Sequence, residues 1–288
     1  MATKQIAAIV QPPAPHMVGD GFRVHNFFPG TGINMDPFFL LDYNAKIEFS
    51  ARQEPRGVGV HPHRGFETVT IAYHGAVAHH DSAGNSGVIY PGDVQWMTAA
   101  RGILHKEYHE EDFSKKGGLF QMVQLWVNLP AKDKMSTPGY QALKHSEIAK
   151  KTLDNHAGTV EVIAGNYEGI KGSARTFSPI ELYSARLNQG AHAQFSFPAS
   201  YNTAFLVIEG EVMVNNEKTA ASDQLVHFKH EGELITVEAK ENSILLVMSG
   251  EPLNEPIAQY GPFLMNTQEQ IREAIADYNE GKFGYLEG

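Results

Sequence analysis

Short strand-like runs separated by turn residues are the feature that most restricts how this chain can fold. Four runs, at residues 67–73, 119–127, 203–214 and 243–248, are rich in β-branched and aromatic residues. Glycine and proline interrupt the chain at short intervals, with 27 glycines and 15 prolines among 288 residues. Many short strands joined by tight turns are typical of sandwiches and barrels. The sequence therefore predicts an all-β protein built from antiparallel strands.

Helical patterns are few. The clearest covers residues 267–279, where Thr267 and Gln270 form a capping box before an amphipathic stretch. We therefore predict a short C-terminal helix there, and a still shorter helix after His145.

The two halves of the chain share a pattern that indicates a duplicated domain. Placing Gly75 on Gly210, an offset of 135 residues, aligns two strand–turn–strand segments. The polar segment 131–142 contains a Pro-Gly pair near the midpoint, so we interpret it as the connection between domains. The predicted divisions are an N-terminal domain at 1–135, a C-terminal domain at 136–260, and a helix and tail at 261–288.

Composition excludes several kinds of site. The chain has no cysteine, so disulfides, zinc–thiolate sites, iron–sulfur clusters and cysteine nucleophiles are ruled out. The net charge of −10 argues against direct nucleic-acid binding as the main function. No signal peptide and no run of 18 apolar residues is recognisable, so we expect a cytoplasmic monomer without membrane association.

Histidines are concentrated in one part of the chain. Seven of the fourteen lie between residues 61 and 109. His61 and His63 have i,i+2 spacing, which places both on the same face of a strand, and His105 and Glu107 repeat that spacing. Two such strands facing each other would present three imidazoles and one carboxylate to one ion. That set suits iron, manganese, cobalt, nickel, copper or zinc better than calcium or magnesium.

Glu67 competes with Glu107 for the place of the carboxylate ligand. It has the same parity as His61 and His63 along an extended strand, so its side chain is expected on the same face. The alternative is a strand residue that is hydrogen-bonded to Arg64 or to a histidine ligand. Strand parity alone leaves both glutamates open.

The other histidines of this region are predicted to lie outside the site. His79 and His80 sit beside a turn, and His74 precedes the hairpin glycine, so all three are expected near the surface. His109 shares the parity of His105 but stands in an acidic stretch that we interpret as solvated.

Several motifs together resemble the pirin family of the cupin superfamily, and the resemblance spans nearly the whole chain. The motifs are Asp36-Pro-Phe-Phe-Leu-Leu-Asp-Tyr, His61-Pro-His-Arg-Gly-Phe-Glu-Thr-Val-Thr, Gly92-Asp-Val-Gln-Trp-Met-Thr-Ala, Gly102-Ile-Leu-His-Lys-Glu, Gly261-Pro-Phe-Leu-Met-Asn-Thr and Gly281-Lys-Phe-Gly.

The resemblance implies a bicupin of jelly-roll type, with two tandem antiparallel β-barrels and a metal only in the first. The ligands of the family match His61, His63, His105 and Glu107. Pirin-like proteins take the glutamate from the second motif, which favours Glu107 over Glu67. The usual metal of the family is Fe(II).

The second half lacks matching ligands. In the approximate register of the repeat, the four ligand positions correspond to Ser196, Pro198, Ile235 and Val237. These residue types are poor metal ligands. The remaining histidines of that half, at 192, 227 and 230, show no paired spacing.

For function, the resemblance implies a quercetin 2,3-dioxygenase, which cleaves a flavonol with dioxygen and releases carbon monoxide. Glu107 would accept the hydroxyl proton of the substrate. The residues considered as walls for an aromatic substrate are Phe38, Phe39, Phe66, Trp96 and Met97. The alternative is a non-enzymatic, metal- and redox-sensing protein that acts on a regulatory protein partner, as described for eukaryotic pirins.

Overall fold

The structure, a computed structural model, describes residues 1–154 and 157–288. These residues form mostly antiparallel strands, which confirms the all-β prediction. The strands of the first half are β1 (Ile6–Val10), β2 (His16–Val18), β3 (Phe22–Phe28), β4 (Phe38–Phe49), β5 (Gly57–His63), β6 (Phe66–His74), β7 (Val77–Asp81), β8 (Ser86–Ile89), β9 (Val94–Thr98), β10 (Ile103–His109), β11 (Gly118–Asn128) and β12 (Gly139–Leu143).

The second half continues in the same way. Its strands are β13 (Ala149–Thr152), β14 (Gly158–Ala164), β15 (Asn166–Tyr167), β16 (Ile170–Lys171), β17 (Ile180–Leu187), β18 (His192–Ser196), β19 (Asn202–Glu209), β20 (Glu211–Val214), β21 (Lys218–Ala221), β22 (Leu225–Phe228), β23 (Leu234–Ala239), β24 (Ser243–Gly250), β25 (Ala258–Tyr260) and β26 (Phe263–Met265). The helices are α1 (Glu111–Lys116), α2 (Gln268–Asn279) and a 3-10 turn at Ala131–Asp133.

The described chain forms two compact units, each assembled from three segments. The histidine unit consists of residues 14–32, 38–145 and 253–288, and the apolar unit consists of residues 1–13, 33–37 and 146–252. Each unit contains one seven-stranded and one four-stranded antiparallel sheet.

These units differ from the divisions at 1–135, 136–260 and 261–288 because strands pair across the expected boundaries. β1 pairs with β22 and so joins the apolar unit. β12 pairs with β9, so the segment interpreted as a connection, 131–142, instead contributes a strand to the histidine unit. The short helix predicted after His145 is wrong, because the chain turns there and enters β13 at once.

The two units repeat the same strand order, which supports the duplication inferred from Gly75 and Gly210. Their four-stranded sheets run β5-β10-β7-β8 and β18-β23-β20-β21. The centres of their seven-stranded sheets run β9-β6-β11-β4 and β22-β19-β24-β17. Gly75 and Gly210 occupy equivalent hairpin turns with φ of 79° and 83°, a backbone conformation that side chains other than that of glycine rarely adopt.

The apolar unit packs its two sheets around one hydrophobic cluster. Val162 and Tyr183 reach this cluster from the seven-stranded sheet, and Phe195, Val212 and Ile235 reach it from the four-stranded sheet. All five are buried. Alternating residues along each strand supply this shared core, as expected for packed antiparallel sheets.

Helix α2 confirms the C-terminal prediction. The Thr267 hydroxyl accepts a hydrogen bond from the Gln270 backbone N–H, and the Gln270 side chain accepts one from Thr267 in return. The apolar face buries Ile271 and Ala274 in a cluster with Phe263 of β26. None of the helices in the described part of the chain has the length and apolarity needed to cross a membrane.

Candidate metal centre

Three histidines converge on one face of the four-stranded sheet of the histidine unit. His61 and His63 alternate on β5, and His61 lies directly opposite His105 of β10. Their ring centroids lie 4.2 Å apart, and that of His63 lies 4.7 Å from that of His105. One ring nitrogen of each residue lies within 4.8 Å of those of the other two. The structure thus brings together the three histidines that strand parity predicts.

Each of these imidazoles has a partner at Nδ1. The Nδ1 atom of His61 lies 2.8 Å from the Gly59 carbonyl oxygen, and that of His63 lies 3.4 Å from the Pro262 carbonyl oxygen. A carbonyl can only accept, so both rings carry a hydrogen on Nδ1, and in the neutral form of each ring the free electron pair is on Nε2. The Nδ1 atom of His105 lies 3.4 Å from Nδ1 of His79.

Burial keeps the inner two rings neutral. His63 and His105 are 3% and 0% exposed. Desolvation, followed by repulsion from the neighbouring histidines, lowers the pKa of both imidazoles well below the ordinary value. A neutral imidazole is the form that binds a metal ion.

Glu107 lies next to this group rather than inside it. Its carboxylate comes within 4.8 Å of ring nitrogens of His79 and His105, and these three residues form a second potential metal-binding group. Glu107 is oriented by three donors. Thr70 and Gln95 donate to Oε1 at 3.2 and 3.1 Å, and Gln124 donates to Oε2 at 2.7 Å.

His79 does not lie near the surface as predicted. It is completely buried on β7, directly opposite Glu107 of β10, and its Nε2 lies 3.2 Å from Oδ2 of Asp81. Burial alone would raise the pKa of Asp81, but hydrogen bonds from His79 and Asn85 outweigh it and lower that pKa. The sequence carried a signal for this pair, because His79 and Asp81 repeat the i,i+2 spacing of the ligand pairs.

His109 is also buried, against the prediction that it is solvated. Its ring contacts Phe22, Phe49, Phe113 and Phe120. The pKa of His109 is lowered to about 4, mainly by desolvation. His74 and His80 are half-buried, and His80 accepts or donates a hydrogen bond with the Tyr108 hydroxyl at 3.0 Å.

Glu67 is buried on β6. Its side chain is hydrogen-bonded by Thr98, not by Arg64 or a histidine ligand as considered from the sequence. The Thr98 hydroxyl donates to its Oε1 at 2.7 Å. Burial raises the pKa of Glu67 to about 7. Neither potential metal-binding group among the described residues includes Glu67.

Aromatic residues border the histidines on one side. Of the predicted wall residues, Phe38, Phe66, Trp96 and Met97 are fully buried, and Phe39 is half-exposed. Trp126, which the sequence analysis missed, lies edge-on to His63 at 5.3 Å and stacks on Phe66 at 4.2 Å. The ring of Phe39 also stacks on this indole, with centroids 6.4 Å apart.

The donor set fits a transition-metal ion. The Nε2 atom of His105 is buried without a hydrogen-bond partner in the described structure, which is costly unless something binds its electron pair. Three imidazoles with an adjacent carboxylate are ligands that suit iron and its neighbours.

The apolar unit carries a different interior at the equivalent place. His61 faces His105, and the matching strands place Phe195 opposite Ile235. The equivalent of His61 is therefore Phe195, one residue before the Ser196 given by the approximate register. Both Phe195 and Ile235 are buried in the hydrophobic core.

Fold and site together define a two-domain protein of the cupin type. The family model for pirin matches residues 21–127, and the model for the pirin C-terminal cupin domain matches residues 182–284. The chain belongs to the pirin family, as its motifs predicted.

Individual relatives agree over almost the full length. A Pseudomonas aeruginosa protein, named provisionally as a quercetin 2,3-dioxygenase, is 46% identical over 282 residues, which covers 97% of this chain and 98% of that protein. Pirin of Homo sapiens is 39% identical over 257 residues, covering 88% of this chain and 84% of that protein. The crystal structure of a quercetin 2,3-dioxygenase from Acinetobacter baumannii superposes with a TM-score of 0.93 at 46% identity, covering 99% and 100% of the two chains.

Proposed function

We propose that the histidine unit holds one transition-metal ion through His61, His63, His105 and Glu107. The observation that carries this proposal is the convergence of three imidazoles, each with a ring nitrogen within 4.8 Å of those of the other two, together with the buried Nε2 of His105 that has no hydrogen-bond partner in the described structure. Glu107 is the proposed fourth ligand because it matches the carboxylate ligand of the pirin family, and its carboxylate lies within 4.8 Å of one ring nitrogen of His105. Fe(II) is the proposed native ion, and the same donors would accept manganese, cobalt, nickel, copper or zinc.

The proposed reaction is the oxidative 2,3-cleavage of a flavonol such as quercetin by dioxygen, with release of carbon monoxide. Similarity to the Acinetobacter baumannii quercetin 2,3-dioxygenase, at 46% identity over 99% of the chain, supports this choice. A bound metal ion would supply the electronic link between the electron-rich flavonol and dioxygen.

Glu107 is the proposed base that takes the proton from the flavonol 3-hydroxyl. Its carboxylate is held from two sides by Gln95 and Gln124, so it can move little while it accepts the proton. A base held within hydrogen-bond reach of the reacting hydroxyl is what general base catalysis requires.

Trp126 and Phe39 form the proposed wall for the flat substrate. Both are half-buried, whereas Phe66, which stacks on the indole, is fully buried. The indole also contacts the ring of His63 edge-on. Stacked or edge-on contacts between aromatic rings add to the hydrophobic gain of burying them.

The test is turnover by the purified protein after reloading with iron, manganese, cobalt, nickel or copper separately. With quercetin under air, at least one form should bleach the flavonol absorbance and release carbon monoxide. His63→Ala should abolish turnover, whereas His192→Ala, at an exposed position on β18, should leave it unchanged. Absence of turnover with all five metals would refute the enzymatic proposal for this substrate.

The alternative function is a metal- and redox-sensing protein that binds a regulatory protein partner. The similarity to human pirin supports this alternative function. It predicts tight metal binding, no flavonol turnover, and a partner affinity that changes between the Fe(II) and Fe(III) forms.

A further inference from the structure

The three proposed histidine ligands differ in the hydrogen-bond partner of their Nδ1 atom. For His61 and His63 the partner of Nδ1 is a backbone carbonyl oxygen, which can only accept a hydrogen bond. For His105 the partner is Nδ1 of His79, which accepts in one tautomer and donates in the other. The orientation of the His105 electron pair therefore depends on which nitrogen of His79 carries the hydrogen.

Asp81 decides the tautomer of His79. Its Oδ1 accepts the backbone N–H groups of Ala83 and Asn85, both at 2.9 Å. Its Oδ2 faces Nε2 of His79 at 3.2 Å. A carboxylate only accepts, so Nε2 of His79 carries a hydrogen, and in the neutral form of the ring Nδ1 is the acceptor. That acceptor requires the hydrogen of His105 on Nδ1, which frees Nε2 for a metal ion.

The fold keeps this chain of contacts in place. Asp81 lies directly opposite His105 across β7 and β10, and both side chains are almost completely buried. The ring of Tyr140 stacks on His79 with centroids 5.2 Å apart and an interplanar angle of 17°. Buried from water and clamped on one face, His79 has no other described side chain to which its ring hydrogen-bonds.

We infer that His79 and Asp81 are a positioning pair that fixes the tautomer of His105 and aims its Nε2 at the metal. This inference rests on the proposed ligation of a metal by His105. It assigns to His79 no direct bond to the ion, although His79 belongs to the second potential metal-binding group. Partners of this kind outside the ligand shell commonly change metal affinity by about 10- to 100-fold.

Asp81→Asn is the most informative variant. It replaces one carboxylate oxygen by an NH2 group and should thereby reverse the tautomers of His79 and His105. The two backbone N–H groups at Oδ1 keep the amide oxygen on their side, so the amide NH2 would face Nε2 of His79. The side-chain amide of Asn85, which donates to Oδ2 of Asp81 at 3.0 Å, would have to turn its oxygen toward the new NH2 group. His79 would then carry its hydrogen on Nδ1, and His105 would be left with its hydrogen on Nε2, where it blocks the metal. His79→Phe removes the contact altogether while keeping a flat ring beneath Tyr140.

The experiment is competition titration of Zn(II) against a chromophoric chelator, together with long-range ¹H–¹⁵N spectra of the histidine rings. Asp81→Asn and His79→Phe should each weaken Zn(II) binding by about 10- to 100-fold. His80→Asn, on the neighbouring position of β7, is the matched control and should bind as the unchanged chain does. The spectra of the Zn(II)-loaded unchanged chain should show His105 bound through Nε2 with its hydrogen on Nδ1.

Failure of the inference and failure of the proposed metal site give different results. If His105→Ala binds Zn(II) as tightly as the unchanged chain, the metal site itself is wrong. If His105→Ala loses binding but Asp81→Asn and His79→Phe retain it within twofold, only the positioning role is refuted. A metal-shifted ¹⁵N signal from His79 would also refute it, because His79 would then be a ligand.

Discussion

Glu67 gives the most quantitative prediction, because it is a buried carboxyl that the proposed metal site does not use. It is 1% exposed, and burial raises its pKa from 4.5 to about 7 although the Thr98 hydroxyl donates to it. The folded chain therefore binds a proton at Glu67 more tightly than the unfolded chain does. The stability associated with the neutral carboxyl is fully present below pH 4.5 and is lost as the pH rises to about 7.

The size of the effect follows from the pKa. One pKa unit corresponds to about 1.4 kcal/mol. The rise of the Glu67 pKa from 4.5 to about 7 therefore lowers the free energy of unfolding by about 3 kcal/mol above pH 7, where the carboxyl is ionised. Glu67→Gln removes the ionisation and keeps an oxygen that accepts from Thr98. The variant should match the unchanged chain near pH 4.5 and exceed its free energy of unfolding by about 3 kcal/mol at pH 8.

The assay is urea unfolding of the metal-free protein followed by circular dichroism at several pH values between 4.5 and 8. Metal is removed because ligand binding would add its own pH dependence. Titration of the histidines is common to both proteins and cancels in the difference between them. Glu48→Gln, at an exposed position on β4, serves as the control and should follow the unchanged chain. A difference between Glu67→Gln and the unchanged chain that stays constant with pH would refute the reasoning.

Three further predictions concern the site and the C-terminal helix. Glu107→Gln should weaken Zn(II) binding in chelator competition by more than about tenfold, whereas Glu67→Gln should leave it nearly unchanged, because only Glu107 is proposed as a ligand. Trp126→Leu should raise the KM for quercetin about three- to tenfold with little change in kcat, because an aromatic contact contributes about 0.5–1.5 kcal/mol. Thr267→Ala should lower the free energy of unfolding by about 1 kcal/mol in urea, because it removes the cap of α2.

Each of these has an opposite outcome that would count against it. Equal losses of Zn(II) affinity in the Glu107→Gln and Glu67→Gln variants would contradict Glu107 as the only carboxylate ligand. A drop in kcat for Trp126→Leu with unchanged KM would contradict simple stacking. An unchanged unfolding midpoint for Thr267→Ala would mean that α2 adds little to stability.

Local patterns gave the parts of the structure that depend on near neighbours along the chain. Alternation at two-residue spacing identified His61, His63 and His105 as residues that share a face, and the structure places their ring nitrogens within 4.8 Å. The Thr267 capping box likewise involves residues three apart, and it is present as predicted. Fe(II), the full ligand set, the monomeric state and the cytoplasmic location stay predictions.

The burial of His79 and His109 was not predicted because it depends on contacts between segments that are distant along the chain. His79 stands beside a turn, which indicates exposure, but the ring of Tyr140 from β12 stacks on it and the ring of His105 from β10 lies beside it. His109 stands in an acidic stretch, yet four phenylalanines from other segments surround its ring. Neither burial can be read from the residues next to these histidines, because the covering groups come from elsewhere in the chain.

The exchange of segments between the units sets the order in which a growing chain can complete them. Ile9 of β1 pairs with Val226 of β22, so β1 has to wait for the second half of the chain before its partner exists. The histidine unit also waits for the last segment, residues 253–288, which supplies the Pro262 carbonyl to His63. Tandem domains generally fold with the N-terminal domain first, but here neither unit can be completed before most of the second half of the chain has been made. A metal ion would meet a finished binding site only after residues 253–288 have been made.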